Sequence, residues 1–259
     1  MITFVGAGPG AADLITLRGQ RLLQEADVVI YAGSLVNPEL LSLCRESCRV
    51  YNSAEMTLEE VMDVMEKGEA QGLQVVRLHT GDPCLYGAIK EQMDCLDEQG
   101  IAYDVCPGVS SFCGAAAALG AEYTLPGVSQ SVVITRMAGR TPVPERESIR
   151  SFAAHRATMV IFLSAGMLPE LSEELIKGGY PPETPAAVVY KATWPEEKVV
   201  RCTVGTLAQA GRDHHISKTA LVLVGDFLSD QYQRSLLYHP GFSTEYRTGD
   251  GSAEPGGSL

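Results

Sequence analysis

The sequence predicts an α/β protein of two α/β domains, the first on a parallel sheet and the second on a mixed one. Three observations carry this. In the first half, short apolar runs alternate with stretches of helical spacing. Near residue 120 a small, apolar segment (residues 113–119) runs into Glu122-Tyr123-Thr124-Leu125-Pro126-Gly127, which breaks the pattern. In the second half, two strand signals are separated only by Thr193-Trp194-Pro195-Glu196, which suggests a hairpin and therefore antiparallel pairing.

Residues 2–5 read as a strand that ends in the turn Gly6-Ala7-Gly8-Pro9-Gly10. Leu14, Leu17, Arg18, Arg21, Leu22 and Glu25 then show helical spacing with apolar residues on one face. Residues 27–31 are apolar after the first, as expected of a strand buried on both faces. Thr57 followed by Glu60 forms a capping box that opens a helix running to about Lys67. Residues 74–79 and 101–106 are further strands, separated by the amphipathic stretch 88–98. Beyond the break, strand signals fall at 131–135, 158–163, 186–191, 198–204 and 219–225, with helices at about 145–154 and 168–177. The expected domains are residues 1–120 and 121–236. Residues 237–259, rich in Gly, Ser, Thr and charge without periodicity, read as an unstructured tail.

Hydrophobic residues make up 45 % of the 259 residues and charged residues 20 %, as in a packed globular protein. No apolar run approaches the ~20 residues that cross a bilayer. The amino end lacks the basic segment and long apolar run of a secretory signal, so a cytoplasmic location without membrane contact is expected. The net charge of −12 argues against a nucleic-acid partner. Seven scattered cysteines show no metal-ligand spacing, and the adjacent His214-His215 point to opposite faces of an extended chain. Reduced thiols and no metal are expected.

Three loops carry the chemistry. The turn Gly6-Ala7-Gly8-Pro9-Gly10-Ala11 fits a dinucleotide fingerprint, but Pro9 removes a backbone donor to pyrophosphate. The acid that should bind ribose after the second strand is replaced by Tyr31-Ala32-Gly33-Ser34, which disfavours a nicotinamide-dependent reductase. What remains is a tight turn packing a helix on a sheet, or a rigid uncharged floor for a flat ligand. The second loop, Thr80-Gly81-Asp82-Pro83-Cys84-Leu85-Tyr86-Gly87, follows a strand's carboxyl end, where ligands bind in parallel sheets. There Asp82 is either a ligand acceptor or a helix cap. In the third, Cys106-Pro107-Gly108-Val109-Ser110-Ser111, the serines serve a helix cap or a ligand.

In this order and spacing the three loops, with Leu14-Ile15-Thr16-Leu17-Arg18-Gly19 after the first, resemble the tetrapyrrole (corrin/porphyrin) methyltransferase family. Tyr31 to Val36, Arg77 to Asp82, Leu125-Pro126 with Ser129-Gln130, and Arg136 through Gly139 to Glu145 are similar to its corrin-precursor branch. The resemblance spans about residues 1–228. One departure is Ala11-Ala12-Asp13, where such enzymes commonly carry Asp-Pro-Asp.

The resemblance implies C-methylation of a corrin precursor on the way to cobalamin, by a homodimer with S-adenosylmethionine bound in a cleft between the domains. It implies a cofactor site formed by Pro9, Gly81, Asp82, Pro83, Tyr86, Ser110 and Ser111, completed by Ser164, Ala165, Tyr190 and Ala220. Gly8 and Gly10, with Pro9 of the same turn, would border the tetrapyrrole. Its carboxylates call for cations, and Arg136 and Arg140 are the first candidates because arginine binds a carboxylate through two parallel hydrogen bonds. Methyl transfer disperses the sulfonium charge, so orientation rather than a catalytic triad should dominate. Tyr86, Asp13 and His79 are candidate proton acceptors, although His79 ends a strand and reads first as a hydrogen-bonded core histidine. Relatives that modify diphthamide or ribosomal RNA, and a non-catalytic tetrapyrrole binder, are the competing readings.

Overall fold

The computed structural model describes residues 1–252, and the last seven residues of the expected tail lie outside them. The chain divides into two compact units, residues 1–118 with Lys191–Glu197, and residues 119–190 with 198 onward.

The first unit holds β1 (Ile2–Gly6), α1 (Leu17–Glu25), β2 (Val28–Tyr31), β3 (Arg49–Asn52), α2 (Leu58–Ala70), β4 (Val75–His79), α3 (Ile89–Glu98), β5 (Tyr103–Cys106) and α4 (Ser111–Leu119), whose last residue falls past the division. Its five strands pair in the order β3-β2-β4-β1-β5, all parallel. Both faces are covered, which explains the near-continuous apolar strands. Val5, Leu23, Val29, Leu40 and Leu78 pack on one side, and Ile2, Phe4, Ile30, Met65 and Leu96 on the other. The capping box of α2 forms as expected: Thr57 Oγ1 accepts from Glu60 N and the Glu60 carboxylate accepts from Thr57 N. The edge strand β3 gave no sequence signal, because Arg49 and Val50 are exposed and the segment lacks an apolar run.

The second unit holds β6 (Val132–Arg136), α5 (Ile149–Ala153), β7 (Thr158–Phe162), α6 (Leu168–Gly178), β8 (Pro185–Tyr190), β9 (Lys198–Thr203), α7 (Leu207–Asp213) and β10 (Ala220–Val224). Its sheet runs β6-β7-β10-β8-β9. β6 and β7 are parallel and every other pair is antiparallel, so the sheet is mixed, with the expected β8–β9 hairpin. Leu168, Leu171 and Leu175 of α6 and Leu207 of α7 pack on Met159, Ile161, Val188 and Val222 of the sheet. The helix expected at 145–154 is split. A 3-10 turn at Glu145–Glu147 precedes Ser148, which is extended and whose hydroxyl caps the short α5 by accepting from Ser151 N.

Past residue 236 the described chain is not featureless. A 3-10 turn at Leu236–Tyr238 is closed by Arg247, whose guanidinium donates to the carbonyls of Leu237, His239 and Phe242.

Candidate active site

In the first unit the three glycine-containing loops leave neighbouring strands at one level. The register pairs Gly6 with His79 and Val5 with Cys106, and β1 lies between β4 and β5. Gly8 and Gly81 then bond reciprocally, Gly8 N to Gly81 O at 3.2 Å and Gly81 N to Gly8 O at 2.8 Å. Gly8 and Gly81 take left-handed backbone, φ +83° and +60°, which a side chain resists. A Cβ on Gly6 would stand 2.5 Å from Gly108 Cα, and one on Gly108 would overlap Gly81 O. The first, second and third loops therefore meet backbone against backbone, which only glycine permits.

Asp82 joins two of them. One carboxylate oxygen accepts from Cys84 N and the other from Gly108 N, each at 2.8 Å. These bonds and the neighbouring Cys84 thiol outweigh burial and hold its carboxyl below the usual range. Asp82 thus both folds its own turn and ties the third loop. Beyond it, Tyr86 and Ala88 take left-handed backbone at φ 57° and 50°. Support comes from below, where the buried Arg77 donates to Gln92 Oε1 and Ile30 O, and Gln92 Nε2 donates to Ala88 O at 3.0 Å. Burial lowers the Arg77 pKa to about 10. Strain of this kind costs about 1–3 kcal/mol per residue and persists where the surroundings over-determine it. Pro83 opens this turn, and the Tyr86 side chain is about half exposed.

Of the three proton-acceptor candidates, His79 is buried and contacts the Phe4 ring at 6.2 Å between centroids. Burial, with Arg77 as the lesser cause, lowers its pKa to about 3, so the imidazole is neutral at physiological pH and a poor base. Asp13 lies exposed on a 3-10 turn after the glycine turn, and Tyr86 stands on the second loop. In the third loop Ser110 is buried and its carbonyl accepts from Cys113 N, starting α4; Ser111 is the first residue of that helix.

In the second unit the expected positions also gather at one end of a sheet. β7 ends at Phe162, β8 at Tyr190, and the antiparallel β10 begins between them at Ala220. The residue flanking each end, Leu163, Lys191 and Thr219, is left-handed at φ 52°, 46° and 53°. None is glycine, and no residue type there marks the left-handed backbone in advance. Ser164 is fully buried, and its hydroxyl accepts from Met137 N at 2.9 Å and donates to Phe162 O at 2.7 Å. That hydroxyl is therefore committed to the fold and not free to bind a ligand.

The two arginines part company. Arg136 donates to the carbonyls of Met137, Thr141 and Pro142, so its guanidinium shapes the loop after β6. Arg140 is exposed on that loop. Sequence spacing alone does not distinguish the two. Among the described residues no group of acids, histidines and cysteines could hold a metal ion, and no helix is long and apolar enough to cross a membrane.

Sheet topology and strand-end loops alone do not fix a class, and comparison with known proteins narrows it. Residues 1–208 match the family model for tetrapyrrole (corrin/porphyrin) methylases, and the chain belongs to that family; it is a methyltransferase. Within it, the chain is 53 % identical over 247 residues to the cobalt-precorrin-4 C(11)-methyltransferase of Methanocaldococcus jannaschii, covering 95 % of each. Among solved structures it is similar to a cobalt precorrin-4 methyltransferase of cobalamin biosynthesis, at TM-score 0.86 and 46 % identity, covering 88 % of this chain and 95 % of that one. A uroporphyrin-III C-methyl transferase from Thermus thermophilus, solved with S-adenyl homocysteine, matches at TM-score 0.73 and 28 % identity, covering 90 % and 95 %.

Proposed function

We propose that this chain methylates carbon 11 of precorrin-4, in its cobalt-bearing or metal-free form, on the way to cobalamin, with S-adenosylmethionine as donor. The observation that carries the reading is the convergence of three strand-end loops through Gly6, Gly81 and Gly108, with Asp82 spanning two of them. It is joined by the 53 % identity to a relative of that name.

When bound, the donor supplies a methyl carbon made electrophilic by a sulfonium. Gly81, Pro83, Tyr86, Ser110 and Ser111 hold it, chiefly by shape and backbone groups, and Ser164, Ala165, Tyr190 and Ala220 of the second unit contribute in the same manner. Asp82 fits this role because its charge is spent on two backbone N–H groups. A bare anion beside the sulfonium would favour the ground state over the charge-dispersed transition state. Gly8, Pro9 and Gly10 border the acceptor ring, and Arg140 meets one of its carboxylates. Tyr86 and Asp13 are the remaining proton acceptors, and His79 serves the core. The reading includes a cytoplasmic homodimer. A net charge of −12 disfavours the RNA-modifying alternative.

Calorimetric titration with S-adenosylhomocysteine, followed by incubation with S-adenosylmethionine and each form of precorrin-4, tests the reading. Tight binding and a new methyl at carbon 11, located by NMR, are expected. Affinity for NADPH without affinity for S-adenosylhomocysteine would refute it.

A further inference from the structure

The single tryptophan of the chain, Trp194, sits at the tip of the β8–β9 hairpin, and this tip, Lys191–Glu197, belongs to the first unit. It lies on the glycine turn. The indole Nε1 donates to Pro9 O at 3.3 Å, and Thr193 Oγ1 accepts from Ala11 N at 2.9 Å. A Cβ on Gly10 would overlap the indole and stand 2.8 Å from Ala192 O. Pro9 and the Thr193 methyl close together on Gly114 of α4, where a Cβ would stand 2.8 Å and 3.2 Å from them.

The rest of the turn is tied as well, Gly10 O by Asn37 Nδ2 at 2.9 Å and Gly8 by Gly81. The tip itself is braced. Thr193 N donates to Glu197 at 2.6 Å, and the Lys191 ammonium lies 4.9 Å from the Trp194 ring centroid and 3.5 Å from Glu196. Lys191 and Thr193 are both left-handed, at φ 46° and 69°. Positive φ is ordinary in a tight hairpin loop, but a hairpin by itself requires no hydrogen bonds to peptides more than 180 residues away in sequence.

We propose that Trp194 and Thr193 are positioning residues, a strap that fixes Gly8-Pro9-Gly10 in the shape that receives the acceptor ring. A turn built from glycine is otherwise free to sample many conformations, and Pro9 stiffens one residue of it. The strap supplies the remaining constraint, so that the acceptor meets a preorganised surface and loses no affinity to ordering it. The identity of the acceptor rests on the function proposed above, whereas the strap itself does not.

Two measurements on the full chain test this. In Trp194→Ala, KM for the tetrapyrrole rises roughly tenfold or more while kcat and the S-adenosylhomocysteine Kd stay within about threefold, the pattern of lost ground-state positioning. Trp194→Phe, which keeps a ring against Gly10 but loses the N–H, falls between. An unchanged KM, or equal loss for both ligands without rescue by phenylalanine, overturns the proposal. Gly10→Ala tests the contact without any activity assay. By pushing the indole out it shifts the sole tryptophan's emission to the red and increases acrylamide quenching. Unchanged emission defeats the strap even if methylation is confirmed. A red shift in a chain that does not methylate precorrin-4 leaves the strap standing and refutes the assigned reaction.

Discussion

The two units shape the strand ends that carry their candidate site positions by opposite means. In the first, Gly6, Gly81 and Gly108 remove side chains so that three loops touch backbone to backbone. In the second, Leu163, Lys191 and Thr219 keep their side chains and accept left-handed backbone that glycine would adopt at no cost. The difference separates two demands. Where glycine stands, the structure needs space. Where a side chain persists in left-handed backbone, contacts of that side chain, within the fold or with a ligand, have to offset the backbone cost.

The largest effect expected from this contrast is at the glycine cluster. Gly108→Ala drives a Cβ into Gly81 O, with Gly6 Cα 2.7 Å away and no flexible side chain to yield. Because all three neighbours are backbone at the end of one sheet, the loops must separate. A loss of about 3 kcal/mol or more is expected, with S-adenosylhomocysteine binding abolished. Urea melts and calorimetry check it; a variant of unaltered stability would show that the loops are looser than their contacts suggest.

The arginine pair sharpens the same contrast inside the second unit. Three carbonyls accept from Arg136, which is half-buried, so Arg136→Gln should cost about 1–2 kcal/mol of stability. Arg140→Gln, at an exposed position, should leave the melting temperature in place and weaken the tetrapyrrole roughly tenfold, as expected for a lost charge-assisted bond to a carboxylate. The reverse assignment of effects would exchange their roles.

Much of this arrangement was legible in the sequence, for identifiable reasons. Apolar runs buried on both faces announced the parallel strands, and the short Thr193–Glu196 connection announced the antiparallel hairpin. The three loops were visible because glycine and proline punctuate strand ends. What stayed hidden depends on contacts distant in sequence or on dihedral angles. Asp82 bonding to Gly108, Arg77 reaching Ala88 through Gln92, and Trp194 on Pro9 join residues that no local periodicity connects. The left-handed Leu163 has no compositional signal, since leucine there reads as one more strand residue. Trp194 carried a faint one: a large amphipathic ring in a hairpin tip asks for a partner for its N–H.

The smallest expected effect is the most discriminating, because its sign differs between the two measurements. Leu163 is 65 % exposed and left-handed, so its side chain buries little apolar area to offset the backbone cost. Glycine relieves that cost, about 1–2 kcal/mol, and returns part of it through the greater freedom of the unfolded chain. Leu163→Gly should therefore stabilise by about 0.5–1 kcal/mol, a rise in melting temperature of about 1–4 °C for a chain of this size. If the leucine is retained for a ligand, the same change weakens S-adenosylhomocysteine several-fold. Higher stability with unchanged affinity would detach the strain at this sheet end from cofactor binding. Lower stability would mean that Leu163 is held by contacts within the fold, and the contrast with the glycine cluster would then be one of packing alone.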